Sequence, residues 1–482
     1  MKNNIKQTIS AILLAAMLTT GLTACGTGET TTDTVSANPS DATQTTADSA
    51  EEAAETEPET EPAPLTKADY PDFVLPEATD TLTVYSTEML GFTLNPALDI
   101  FRELYPEVEV ISKTMTEEEY ETIIRTEIPA GRGPDLLFSH GTDLPDVYKT
   151  MSSGVFLDLN PYFLYDEEFN PDDYFTGMLD SGLYGRERFL VPVSCCLPLL
   201  TTSAEVLTEE EIAPDSFSTI EGLLTACETY KANYPDRTVF ADNGYITGFN
   251  MLKILYEKCG IQLIDYRNNT VTMDYDSLKA IADIAKLHYT AGEQNKTGRI
   301  TYMDIPKHQA LFNGDHTSMW SLFMIEHYNV VCTNEENHLV YTFPDINGGS
   351  TAQIMTFAAV SSNTENTLNA WRLIKILLSE EIQCGTSETL GNLTIASPVL
   401  KEGLRKYISM QAEKAFYGTY VLPEETMDEF CALAEQIDHA VLAPPILVRY
   451  FQMEMMPYVQ GDRSFDDCFD NLKNTLELYK DE

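Results

Sequence analysis

The chain has 482 residues, room for two or three domains, with an ordinary 43% hydrophobic content. Its 76 acidic and 30 basic residues leave a net charge of −46. Such a surface repels phosphate backbones and anionic headgroups, which argues against nucleic acid as a partner.

The amino terminus reads as an export signal over residues 1–25. Lys2 and Lys6 give a positive start, and Ala11 to Leu18 form an apolar core too short to span a bilayer. Leu22-Thr23-Ala24-Cys25 follows and resembles a bacterial lipobox, in which the cysteine is lipidated and heads the mature chain. The bland alternative is an ordinary secretory signal that happens to contain a cysteine. Residues 26–64 are rich in Thr, Ala, Glu and Pro and hold no aromatic or basic residue. They bury too little apolar area to offset their ordering entropy, so 26–79 is expected to be a disordered acidic linker. No later apolar run is long enough to cross a membrane. Of nine cysteines, the eight besides Cys25 are scattered without a C-x-x-C pair, which suggests buried thiols rather than a disulfide framework.

From Thr81 the pattern alternates between strands and helices. Thr81 to Ser86 reads as a strand, Pro96 to Leu104 as a helix, and Glu107 to Ile111 as a second strand. Thr116 with Glu119 three residues on predicts a capped helix to Ile128. Gly131, Gly133 and Pro134 end it, Leu136-Leu137-Phe138 form a strand buried on both faces, and Ser139 to Asp143 a polar loop. The acidic run Thr116 to Glu121 reads as a solvated helix start rather than a metal site. Short alternating elements imply a mostly parallel sheet, whose carboxyl edge is where ligands sit.

Arg188 to Thr202 is apolar but broken by Pro192 and Pro198, so it reads as an extended crossing rather than a central strand. Helices come next at Ser218 to Tyr230, about Thr247 to Cys259, and Ser277 to Tyr289; Ala310 to Phe323 turns at Gly314 into a strand. Gln353 to Val360 reads as a second crossing, Asn366 to Leu378 as an apolar helix, and the remainder as several helices. The chain holds no G-x-S-x-G, H-E-x-x-H, P-loop, G-x-G-x-x-G or EF-hand pattern.

The order of these segments resembles that of the extracellular solute-binding proteins of bacterial ABC importers, family 1, the maltose- and oligosaccharide-binding group. The resemblance is carried by Tyr105-Pro106 before the Val108–Val110 strand, Gly131-Arg-Gly-Pro-Asp135 leading to Gly154–Leu159, and Leu190-Val-Pro-Val193. Phe312–Met319, Ala370–Gln383, Ser397-Pro-Val399 and Gly461 with Ser464–Asp467 continue it. The chain departs at Ser218-Thr-Ile-Glu221 and Leu200-Thr-Thr-Ser203, and it has only two tryptophans.

The resemblance implies an α/β, two-lobed periplasmic-binding-protein-like (type II) fold with hinge crossings and a central ligand cleft. It places one lobe at 80–194 with 356–396 and the other at 195–355 with 397–482. It implies non-enzymatic capture of a small ligand, most often a saccharide, for a membrane permease. No cofactor, metal or catalytic residue is implied. The protein would be a monomer, held on the outer face of a Gram-positive cell membrane by a lipid on Cys25. A sensor of the same fold and a secreted carbohydrate-active enzyme are the alternatives.

Ligand candidates by the same resemblance are Thr87, Glu88, Ser139, His140, Thr142, Asp143, Tyr245, Phe249, Trp320 and Phe323. The polar members suit hydroxyl groups and the aromatic ones the C–H face of a sugar ring. Each has a structural alternative: His140 as a turn cap and Trp320 as core, each on equal terms. Trp371, on its apolar helix, reads as core. Cys195-Cys196 has no basic neighbour in sequence to lower a thiol pKa and reads as packing. The lipobox reading predicts that Cys25→Ala releases the protein from the membrane fraction or leaves it unprocessed. Membrane association with an unchanged mature mass would contradict it.

Overall fold

In the computed structural model the described residues are 65–128, 130–241, 248–294, 302–313, 338–384, 393–396, 399–406 and 424–482. In chain order the strands that organise the fold are β1 (Thr81–Thr87), β2 (Glu109–Met115), β3 (Leu136–His140), β4 (Val191–Cys196), β5 (Leu199–Ser203), β6 (His338–Thr342), β7 (Thr351–Val360), β8 (Leu393–Thr394) and β9 (His439–Val441). The principal helices are α1 (Gly91–Leu104), α2 (Glu117–Glu127), α3 (Val147–Ser152), α4 (Ile220–Asn233), α5 (Gly248–Lys258), α6 (Tyr275–Gln294), α7 (Thr367–Leu377), α8 (Glu424–Glu435), α9 (Pro445–Gln460) and α10 (Phe465–Lys480).

Seven strands form one sheet in the order β8-β4-β7-β3-β1-β2, with β9 also paired to β7. β1 is parallel to β2 and β3, so the three carboxyl ends share an edge. β7 runs antiparallel to β3 and β4 and parallel to β9. The sheet is therefore mixed, not mostly parallel as strand–helix alternation alone suggests. β3 is buried along Leu136–Ser139, as its apolar run requires, whereas the edge strand β2 is mostly exposed and carries Glu109 and Lys113.

The two segments expected to be crossings are strands of this sheet. β4 is buried throughout in spite of Pro192. Its register against β7 slips between Thr356 and Phe357, where Pro192 faces Phe357. An irregularity is where a sheet can accept a residue without an N–H. β7 is a ten-residue strand with neighbours on both sides.

α1 buries Thr93, Leu94, Ala97, Leu98 and Phe101, one face at helical spacing, and packs against α7. The Thr116 cap forms as its sequence predicts: the Glu119 N–H donates to Thr116 Oγ1 at 3.3 Å, and the Thr116 N–H to Glu119 Oε2 at 3.2 Å. Gly131 takes a φ of +66° after α2, a conformation other residues resist, and its N–H donates to Ile128 O at 2.9 Å. Trp371 is core: it is fully buried, and its indole N–H donates to Asp166 Oδ2 at 2.7 Å.

The apolar residues form two large cores. The first contains β1, β3, β4, β7, α1, α7 and α8. The second gathers α4, α5, α6, α9 and α10 around a small sheet, in which β5 and β6 pair antiparallel and Phe312 and Asn313 bridge to Phe240 and Thr201. The chain passes from first to second core between Leu199 and Leu200, returns between Phe343 and Ala352, and leaves again between Leu442 and Ala443. The third lies farther on than residue 397, because Leu400, Leu404, Met427, Phe430 and Ala434 pack into the first core.

Candidate functional site

β1, β2 and β3 deliver their carboxyl ends to one edge, and the segment after each strand opens onto a cleft of about 600 Å³. At the end of β1 and just after it come Thr87, Met89 and Leu90; after β2, the first turns of α2 with Glu117, Glu118, Glu121 and Arg125. His140 ends β3, and Thr142, Asp143 and Pro145 follow it. The remaining wall is the start of α9, with Pro445, Ile446 and Arg449. α9 belongs to the second core, so the cleft has walls from both.

The β3 loop is tightly made. The Gly141 N–H donates to Met355 O at 2.7 Å, and a Cβ at 141 would stand 2.7 Å from Ile354 O. Only glycine lets the loop run this close to β7. The His140 N–H donates to Asp143 Oδ2 at 2.7 Å, and the Asp143 N–H returns to His140 O at 3.0 Å. Thr142 offers its N–H to His140 Nδ1 at 3.3 Å and its hydroxyl at 2.8 Å. An Nδ1 that accepts an N–H is unprotonated, so we assign the neutral ring its proton on Nε2.

The electrostatics support that assignment. Burial, with Lys253 of α5 adding repulsion, lowers the His140 pKa to about 4. Burial raises the Asp143 carboxyl to about 6; the His140 N–H works against that shift and Glu117 adds to it. The cleft thus sets Glu117, Glu118, Glu121 and Asp143 against Arg125 and Arg449, and Arg125 is already paired with Glu121 at 2.6 Å. Such a wall can accept hydrogen bonds from hydroxyls at the carboxylates and donate them from the guanidiniums. Met89, Leu90, Pro145, Pro445 and Ile446 supply apolar surface. No group of three or more His, Cys, Asp or Glu residues is placed to hold a metal among the described residues.

Of the residues singled out from sequence, Thr87, His140, Thr142 and Asp143 line this cleft. Ser139 does not: it is fully buried and its hydroxyl pairs with that of Tyr120. Ser86 is buried likewise and donates to Phe138 O at 2.9 Å. Glu88 opens a short 3-10 turn, is exposed, and is not part of the lining. Tyr245, Trp320 and Phe323 lie outside the described residues, and of Phe249 only the backbone, within α5, is described. None of the seven described cysteines forms a disulfide. Cys195 is buried in β4 with its thiol pKa pushed up by desolvation, as expected of packing.

Sequence reading misses the acidic start of α2 and the start of α9 as walls. The former is within reach, since a capping box directly after a parallel strand puts the helix start at the same edge. The latter carries no local signal, because Arg449 stands 306 residues beyond Asp143 (449 minus 143) and only tertiary packing brings the two together.

A family model described as bacterial extracellular solute-binding protein matches residues 97–403. No curated protein sequence matches the chain. Among solved structures, the chain resembles the sugar-binding protein MalE of Xanthomonas citri, with TM-score 0.60 and 15% identity over 83% of this chain and 97% of that one. It also resembles the cyclic alpha-maltosyl-1,6-maltose binding protein of Arthrobacter globiformis (TM-score 0.54, 14% identity, 84% and 99% covered). A third is an ABC transporter solute-binding protein of Thermotoga lettingae bound with alpha-D-tagatose (TM-score 0.51, 17% identity, 83% and 100% covered). At these identities the likeness is one of fold: two lobes of mixed α/β structure.

The raised Asp143 pKa makes a signed prediction. The folded protein holds this proton more tightly than the unfolded chain, so the group's contribution is complete below about pH 4 and is lost as pH rises through about 6. Asp143→Asn removes the titration but keeps an acceptor for the His140 N–H. Its melting temperature relative to wild type should therefore rise between pH 4 and pH 7. A difference that stays constant across that range would contradict the assignment.

Proposed function

Because the chain belongs to the bacterial extracellular solute-binding proteins, we propose that it captures a saccharide in this cleft and delivers it to the permease of an ABC importer. The observation that carries the reading is the origin of the cleft walls. Thr87, His140, Thr142 and Asp143 come from the first core and Ile446 and Arg449 from the second. A ligand that touches both walls binds the closed arrangement better than the open one, and that differential affinity is what drives closure.

A saccharide suits the lining. Its hydroxyls both donate to carboxylates and accept from guanidiniums, and its C–H faces match the apolar surface of Met89, Leu90 and Ile446. The similar solved structures are of proteins named for a sugar ligand or bound with one, which supports the same class. Tyr245, Phe249, Trp320 and Phe323 join the proposal as further ring contacts on the sequence resemblance alone. Binding of this kind needs no cofactor and no chemical step. The proposal includes a lipid on Cys25, a location on the outer face of the cell membrane, and action as a monomer.

A thermal-shift screen of mono- and oligosaccharides, peptides and polyamines tests the reading. A ligand at a hundred times its Kd stabilises the folded form by about 2.7 kcal/mol, enough to raise the melting temperature visibly. A saccharide should do so, and Arg449→Ala should reduce the shift while leaving the ligand-free melting temperature near wild type, since Arg449 is exposed. A shift by peptides or polyamines alone, or turnover of the bound sugar, would contradict the proposal.

A further inference from the structure

We propose that Asp146 is a positioning residue, whose buried carboxylate fixes the point at which the second core meets the first through the hydroxyls of Tyr266 and Tyr479. The proposal rests on the capture reading only for its consequence, which is the angle at which the cleft walls face each other.

Asp146 caps α3, where its Oδ1 accepts the Lys149 N–H at 3.1 Å. The capping role uses one oxygen. The other, Oδ2, accepts from two tyrosines of the second core. Tyr266 donates from the turn that joins the two short strands 264–265 and 270–271, and Tyr479 donates from the last turn of α10 at 3.2 Å. Lys149 closes the cluster: its ammonium donates to Tyr479 O at 3.1 Å and lies 4.3 Å from the centre of the Tyr479 ring. Asp146 is only 4% exposed, so its charge is compensated by these groups rather than by water. Burial and the neighbouring carboxylate raise both tyrosine pKa values, which keeps the hydroxyls protonated as donors.

The position matters because Asp146 is three residues from Asp143. One end of the 140–146 loop lines the cleft and the other is fastened to the second core. Beside it the Ile446 N–H, at the start of α9, donates to Pro145 O at 3.3 Å. Pro145 and Ile446 are themselves cleft residues. A loosened Asp146 cluster would let the α9 wall shift relative to His140 and Asp143 while each core stayed intact.

Hydrogen exchange on the full, ligand-free protein tests this with two variants. Tyr266→Phe/Tyr479→Phe removes only the hydroxyls. Asp146→Asn keeps a good helix cap while weakening the acceptor. In both, the peptide containing Ile446 should exchange about tenfold faster, as expected for losing hydrogen bonds to a charged group. Peptides across Lys149 and Thr150, which report the α3 cap, should keep the wild-type rate. Combining all three substitutions should add little to either variant, because the groups act as one unit. Wild-type exchange at Ile446 in the tyrosine variant would overturn the proposal, as would faster exchange confined to α3. Should Asp146→Asn fail to fold, the tyrosine variant decides alone. No ligand is present, so a failed sugar screen and an unchanged exchange rate remain separate results.

Discussion

A buried strand must find partners for its backbone groups on both sides, and β7 meets that demand in a way that fixes most of the molecule. Its later half lies between β3 and β4, with Thr356 opposite both His140 and Ser194. Its first residues lie between β4 and β9, with Gln353 opposite Cys196 on one side and Val441 on the other. β4, β7 and β9 each adjoin a passage between cores. The chain leaves the first core just after β4, re-enters just before β7, and leaves again just after β9. All three passages therefore gather at one end of a single strand, which is the geometry of a hinge.

The cleft is attached to that same end. Gly141 bonds to Met355 O, two residues from Gln353, so the loop bearing His140, Thr142 and Asp143 is held by the strand that carries the hinge. Rotation of the second core would turn Arg449 toward or away from the His140–Asp143 part of the loop, with the Pro145–Ile446 contact near the pivot. The charges on that loop are conditioned by burial. His140 is held neutral, and Asp143 is poised to carry a proton under mildly acidic conditions. A neutral ring that donates from Nε2 beside an acidic acceptor offers both halves of a hydroxyl's hydrogen bonding without a fixed positive charge on the first-core loop.

Much of the first core is legible in the sequence because its signals are local. The Thr116–Glu119 capping box, the Gly131–Pro134 stop and the apolar run of β3 each specify a backbone conformation on their own. Trp371 is readable as core from helical spacing. The readings that fail depend on distant partners. Pro192 looks incompatible with a central strand until β7 supplies a slipped register opposite it. Ser139 looks like a ligand contact because its partner, the Tyr120 hydroxyl, comes from the buried face of α2. The acidic start of α2 is solvated as read, but nothing nearby in sequence announces that α9 stands across from it. Helical periodicity likewise shows that a face of α8 is buried but not that it packs into the first core.

In the proposed capture a small ligand draws the two cores together over the cleft. Energy transfer between a probe replacing Leu104, exposed at the end of α1, and one replacing Met453, exposed on α9, reads that movement. Addition of a saccharide that raises the melting temperature should shift single molecules from a broad or long-distance population to a short-distance one, reversibly on removal. A saccharide that binds while the distance distribution stays unchanged would contradict the account.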